Sequence, residues 1–294
     1  NPAAWGSNHV GKPIPDFVHG DECLFCHRND IGPGWQKNAH GITVRQAEDA
    51  PELVKLAAGQ PALPKPEYFL GSRHRVRFLK KEAYGKFALL STQAALRPDG
   101  SLERWIGLDH PAWDRDRFAS RCAGCHATAV DPATRAFSAF GLDCYVCHGN
   151  VNLEHTNDTS LIWLSKKRRS DALAVTSICA QCHLRGAKSR ATGLPYADNF
   201  VAGDNLFRDL VVDFSKADDA ALNPGDRHIY RNVRDVVVNG SDGPTCLTCH
   251  RVHERSTSRH RIPLRSAICF DCHNQQGPFK NVNGYTVHSA VCEY

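Results

Sequence analysis

Six times along its 294 residues the chain repeats one pentad, Cys-x-x-Cys-His. The copies are Cys23/Cys26/His27, Cys122/Cys125/His126, Cys144/Cys147/His148, Cys179/Cys182/His183, Cys246/Cys249/His250 and Cys269/Cys272/His273; of the 13 cysteines only Cys292 stands outside them. The pentad is an attachment signal for c-type haem. Two thiols reach the two vinyl groups on one porphyrin edge, and the next residue turns its imidazole under the iron. A zinc site would need a second thiolate pair at fixed spacing, and a thioredoxin-like pair would occur once beside a βαβ pattern. Neither expects histidine after every pair. With 16 histidines in the chain, six chance placements have a probability on the order of 10⁻⁸. Six covalent haems c are therefore expected, held by the twelve pentad cysteines, with the six pentad histidines as proximal ligands.

That expectation governs the reading of composition. A hydrophobic content of 41% with 16 Pro and 22 Gly is lean for this length, and apolar macrocycles can supply missing core. The implied fold is mainly α with extensive loops, a single haem-packed hexahaem domain over 1–294 with at most a small β-hairpin. The net charge of +5 does not point to nucleic acid. Each ferric haem brings roughly −1, two propionates against one net positive centre, so six reverse the sign and many Lys and Arg become propionate partners. Lys166-Lys167-Arg168-Arg169 reads as a solvated or propionate-facing patch. No stretch approaches the roughly 18 to 20 apolar residues of a membrane span. The opening Asn1-Pro2-Ala3-Ala4-Trp5 reads as a mature, soluble chain. Covalent attachment of haem outside the cytoplasm implies a periplasmic or extracellular, exported protein.

Along the chain, Pro13, Pro15, Gly20, Gly32, Pro33 and Gly34 mark turns around the first pentad. Asp49 reads as the cap of a short helix with Pro51 in its first turn, Leu53, Leu56 and Ala57 on one face, and Gly59 as its stop. From Arg73, His74, Val76 and Phe78 alternate with Arg73, Arg75 and Arg77, and Lys86 to Thr92 offers a second run, giving the one expected hairpin. Asp114, Ser170 and Ser266 can cap helices that carry the second, fourth and sixth pentads.

Ten histidines remain for the far side of the irons: His9, His19, His40, His74, His110, His155, His228, His253, His260 and His288. The chain has no methionine, so a His/Met iron cannot be built from within it. Ten candidates can fill six distal positions, and bis-histidine ligation throughout is expected. The distal set is His40, His74, His155, His228, His253 and His288, with His110 and His260 in reserve. His253 follows His250 by three residues, too close to reach the far face of the same haem, and should ligate a neighbour. His155, seven residues after His148, falls under the same argument.

These residues carry a resemblance. Cys122 to His126 followed by Ala127-Thr128, then Cys144-Tyr145-Val146-Cys147-His148-Gly149 with His155, then Cys179-Ala180-Gln181-Cys182-His183-Leu184-Arg185, then Thr245-Cys246 to His250 with Arg251-Val252-His253, and Ile268-Cys269-Phe270-Asp271-Cys272-His273, together resemble the multihaem c-type cytochromes related to the tetrahaem electron acceptor of hydroxylamine oxidoreductase. The likeness runs from about Cys23 to His288 and rests on motif order. It implies distal roles for His40, His155 and His253; Gly71-Ser72-Arg73-His74 and His288 also match the group. Relatives often carry a further pentad where this chain has Cys292-Glu293-Tyr294.

The function expected is electron transfer, as a relay between redox partner proteins or as a self-associating, conductive assembly. The competing reading is an oxidoreductase with one open haem acting on a small nitrogen or sulfur species, so whether the chain is an enzyme stays open, with a carrier favoured. No Cys-x-x-Cys-Lys motif is present, and ten spare histidines make an empty iron position unnecessary. Cys292 reads as a free thiol, an intermolecular disulfide, or a thiolate on an iron near His288.

Overall fold

Val76 and Phe78 alternate with Arg75 and Arg77, and the strand this dictates lies near the centre of a larger sheet. In the computed structural model, which describes residues 20–254 except 72, 73, 84, 132, 150, 152 and 166–170, strand β3 (Arg75–Ala83) pairs antiparallel with β4 (Lys86–Leu96). Around this hairpin lie β1 (Val44–Gln46), β2 (Tyr68–Leu70), β5 (Leu102–Ile106) and β6 (Trp113–Asp114). The order is β1-β2-β3-β4-β5, with β6 also on β4, every pairing antiparallel.

Neighbouring residues on these strands serve opposite faces, as the pleat requires. Phe69, Val76, Phe78 and Leu90 pack with Leu53 and Ala57 of helix α3 (Pro51–Ala58). Leu70, Leu79, Leu89 and Phe87 pack on the other side with Phe118, Ala123, Ala127 and Phe137, and Cys122 lies at the rim of that cluster. Each fully buried Phe or Leu in these clusters contributes about 1.5–3 kcal/mol by leaving water. The second pentad is thus seated on a face of the sheet.

The helices that bear pentads are short. They are α1 (Gly20–His27), α5 (Ala123–His126), α6 (Tyr145–His148), α7 (Ala172–His183) and α9 (Cys246–Cys249); α2 (Gly32–Trp35), α4 (Arg117–Arg121) and α8 (Pro224–Val237) lie between them. The Asp114 carboxylate accepts from the N–H groups of Asp116 and Arg117, both at 3.0 Å, and opens α4. The cap of α7 is Asp171, which accepts from Ala174 N at 2.9 Å, rather than the neighbouring serine. Helix α3 has Pro51 at its start, but Ala50 is the cap residue and Asp49 makes no cap bond. A third cluster joins α7 to α8 through Ala180, Leu184, Tyr230 and Val233. Two small sheets complete the structure: β7 (Ala127–Val130) with β8 (Phe137–Phe140), and β9 (Lys188–Ser189) with β10 (Leu210–Val211). No described helix is long and apolar enough to cross a membrane.

The mainly α, haem-packed architecture with at most a hairpin is therefore corrected. Among the described residues ten strands form three antiparallel sheets, and the largest has side-chain cores on both faces. The hairpin itself is legible in the sequence because β3 and β4 are long. The strands that widen it, β1, β2 and β6, are three residues or fewer, too short for alternation to register.

Candidate haem centres

Within one helical turn, residues three apart share a face, so each of the first four pentads presents its two thiols together with the imidazole at the helix end. Side chains beyond the pentads set how these turns meet. Asp143, just before the third pentad, accepts from Gly20 N at 2.8 Å and Tyr145 N at 3.2 Å, tying the start of α1 to the start of α6. The fully buried Thr128 hydroxyl donates to Gly141 O at 2.9 Å and accepts from Asp143 N at 3.0 Å. The Ala-Thr that follows the second pentad thereby shapes the entry to the third. Gly124 has no room for a side chain, since a Cβ would fall 2.1 Å from the Tyr196 ring. That ring is held by its hydroxyl, which donates to Ala119 O at 2.7 Å.

The thiols meet across pentads. Cys23 and Cys144 are in hydrogen-bonding contact, as are Cys125 and Cys182, and Cys179 and Cys246. The second of these contacts is reciprocal, with Cys125 Sγ 3.7 Å from Gln181 O and Cys182 Sγ 3.9 Å from Gly124 O. Burial pushes the Cys147 thiol up to about 11. A cleft lined by Gly124, Tyr145, Gln181, Tyr196 and Phe200 touches three pentads at once. Among the described residues no group of three or more His, Cys, Asp or Glu is gathered around one point for a metal ion.

Among the described pentad thiols one differs from the rest in exposure. Cys26, expected to hold haem like the other eleven, is exposed, whereas Cys23, Cys122, Cys125, Cys144, Cys147, Cys179, Cys182 and Cys246 are all half-buried. The physical reason lies in how α1 is seated. It meets the third pentad through Gly20 and Cys23, at its start and middle, while Phe25, next to Cys26, is 81% exposed. The end of the helix that carries Cys26 therefore faces solvent, and a thioether formed there would lie at the outer edge of the first haem centre.

The imidazoles meet in twos. His27 and His155 have ring centroids 6.1 Å apart, His40 and His183 6.0 Å, and His148 and His253 5.8 Å. In each pair one ring belongs to a pentad and the other does not. A metal–imidazole nitrogen bond of about 2.0–2.1 Å, with about 1.1 Å from that nitrogen to its ring centre, puts two rings on one metal about 6.2 Å apart. All three pairs come within about 0.4 Å of the separation an iron between two imidazoles requires, so the residues present fit the group.

Their protonation fits as well. Burial pulls His126 and His148 down to about 4, which keeps each imidazole neutral with a lone pair to offer. Loss of solvation lowers His183 too, aided by the neighbouring His40, His250 and Arg185 charges. His148 Nδ1 lies 2.7 Å from Trp163 O, and since a carbonyl only accepts, Nδ1 carries the hydrogen and Nε2 the lone pair. His27 Nδ1 lies 3.1 Å from an Asp30 carboxylate oxygen, which holds that carboxyl below its ordinary range.

Not every candidate from the sequence is brought to a pentad. His74 and His110 are exposed, and no ring contact joins either to another histidine among the described residues. His228 is half-buried on α8, held by Asn232, whose side-chain nitrogen donates to His228 O at 2.9 Å. No described histidine ring faces His126 or His250. Cys269, Cys272, His273, His260, His288 and Cys292 lie outside the described residues. No motif marks Asp143, Trp163 or Asp30 in the sequence; an acidic residue three places beyond a pentad histidine is the only local signal.

A protein-family model described as a doubled Cys-x-x-Cys-His motif matches residues 237–278, the span of the fifth and sixth pentads. No curated protein matches the chain. No solved structure matches it.

Proposed function

We propose that this chain, a multihaem c-type cytochrome by its doubled pentads, transfers electrons through six covalently attached haems with two histidines on each iron. The observation that carries the reading is the set of three imidazole pairs at 5.8–6.1 Å. Bound haem would supply a one-electron couple held low in potential by two imidazoles. The chain's own residues do the rest. Cysteines of different pentads touch, so groups carried on Cys23 and Cys144, on Cys125 and Cys182, and on Cys179 and Cys246 would be attached close to one another. Each ring pair also joins distant parts of the chain: His155 follows the third pentad yet faces the first, His40 follows the first yet faces the fourth, and His253 follows the fifth yet faces the third.

This wiring favours a single body over 1–294 rather than a string of independent haem modules. His74, His228 and His288 are the sequence candidates for the remaining distal positions, and His74 and His228 would have to move to reach them, since neither ring faces a pentad histidine among the described residues. Motif order further supports kinship with the tetrahaem acceptors of hydroxylamine oxidoreductase, an exported location and a redox protein as partner. Low-temperature electron paramagnetic resonance of the oxidised protein tests the reading: wholly low-spin iron is expected. A stoichiometric high-spin signal would instead favour an open haem and the oxidoreductase alternative.

A further inference from the structure

Asn38, in the turn after α2, is only 3% exposed, and its side chain spends every hydrogen bond it has on two candidate iron ligands. The side-chain nitrogen donates to Val252 O at 2.8 Å and to Glu254 O at 2.6 Å, the carbonyls on either side of His253. The side-chain oxygen accepts from the His40 backbone N–H at 2.9 Å and lies 3.0 Å from His40 Nδ1. A primary amide has two donor hydrogens and one oxygen with two lone pairs, so all four positions are filled. The partners also decide which way the amide faces. Two carbonyls can meet only its NH₂, and a backbone N–H can meet only its oxygen. That oxygen cannot donate, so His40 Nδ1 carries the hydrogen and Nε2 keeps the lone pair.

A second contact presses the same segments together. A Cβ on Gly34 would lie 2.3 Å from His253 O, so α2 and the backbone of His253 touch with no side chain between them. Trp35 of the same short helix stacks on His40, with centroids 6.5 Å apart and planes 9° from parallel.

We infer that Asn38 is a shared positioning residue: one amide sets the tautomer of His40 and seats the loop of His253, so the His40/His183 and His148/His253 pairs are held as one unit. The inference rests on the reading of those pairs as iron ligands. Its consequence is that two irons, served from opposite ends of the chain, respond together to a change at one buried side chain.

The experiment uses the haem-loaded full chain and reads low-temperature electron paramagnetic resonance and potentiometric titration. His40→Ala and His253→Ala come first, and each should turn one iron per molecule high-spin. If neither does, the ligand reading fails and the inference with it. If both do, Asn38→Leu, similar in volume and without hydrogen bonds, should shift the g-values and midpoint potentials of the same two irons at unchanged haem content. Movement of one signal or of none overturns the shared role. Asn38→Asp separates the two halves. It keeps an acceptor for His40 and removes the donors to the loop, so the signal lost in His253→Ala should go while that lost in His40→Ala stays low-spin at a lower potential. Gly34→Ala should move only the His253 signal. Should Asn38→Leu not be recovered with haem, Asn38→Asp decides: an unmoved His253 signal overturns the inference.

Discussion

At His148 the Nδ1 hydrogen is committed to Trp163 O, while at His27 the corresponding nitrogen meets the Asp30 carboxylate. The two environments differ in what they do to the ring. A carboxylate draws the Nδ1 proton and makes the imidazole a stronger donor, whereas a neutral carbonyl fixes the tautomer with less push. Asp30→Asn should therefore raise the midpoint potential of one haem and leave the others in place, which potentiometric titration followed by optical absorbance will read; unchanged potentials would mean the contact has no electronic role. On the other side of the same site, His155 stands 6.1 Å from His27. Its replacement by Ala should preserve haem content and turn one iron high-spin, and a spectrum that stays wholly low-spin would remove His155 from the ligand set.

The sheet and the pentad helices depend on different forces. Phe78 and Phe69, both fully buried, meet edge to face at 5.9 Å in a cluster built of side chains alone. Phe78→Ala should cost about 3–5 kcal/mol through the cavity it leaves. Denaturant titration should show that loss while the haem absorption of the folded protein is unchanged. Helix α7 carries the fourth pentad at its C-terminal end, twelve residues from a cap at Asp171. Asp171→Ala should cost about 1 kcal/mol by leaving a first-turn N–H unpaired, again without loss of haem.

For the molecule as a whole, three thiol contacts and three imidazole pairs tie five pentads into one network among the described residues. Early and late sequence are interleaved, so in each ring pair the two imidazoles come from different segments. The denatured protein should nonetheless carry all its haems, since attachment is covalent. Its mass should exceed that of the bare chain by six haem additions, and five or fewer would show that one pentad is not used.

The pentads, the absence of methionine and the supply of spare histidines are local facts of composition and spacing, and they are enough to name the cofactor and to expect imidazole on both sides of the iron. Residue reach alone also sends His253 and His155 away from their nearest pentads, and the structure places their rings against His148 and His27. Spacing treats all twelve pentad cysteines alike; that Cys26 faces solvent while Cys23 of the same turn meets Cys144 follows from where α1 is seated. Which ring meets which, and the role of Asn38, 214 and 216 positions from its carbonyl partners, likewise depend on contacts that no sequence period encodes. The sheet is hidden for a related reason. β1 and β2 are strands only because each lies beside a neighbour whose backbone completes its hydrogen bonds, and three residues carry too little side-chain pattern to announce a pairing that is settled by chain elsewhere.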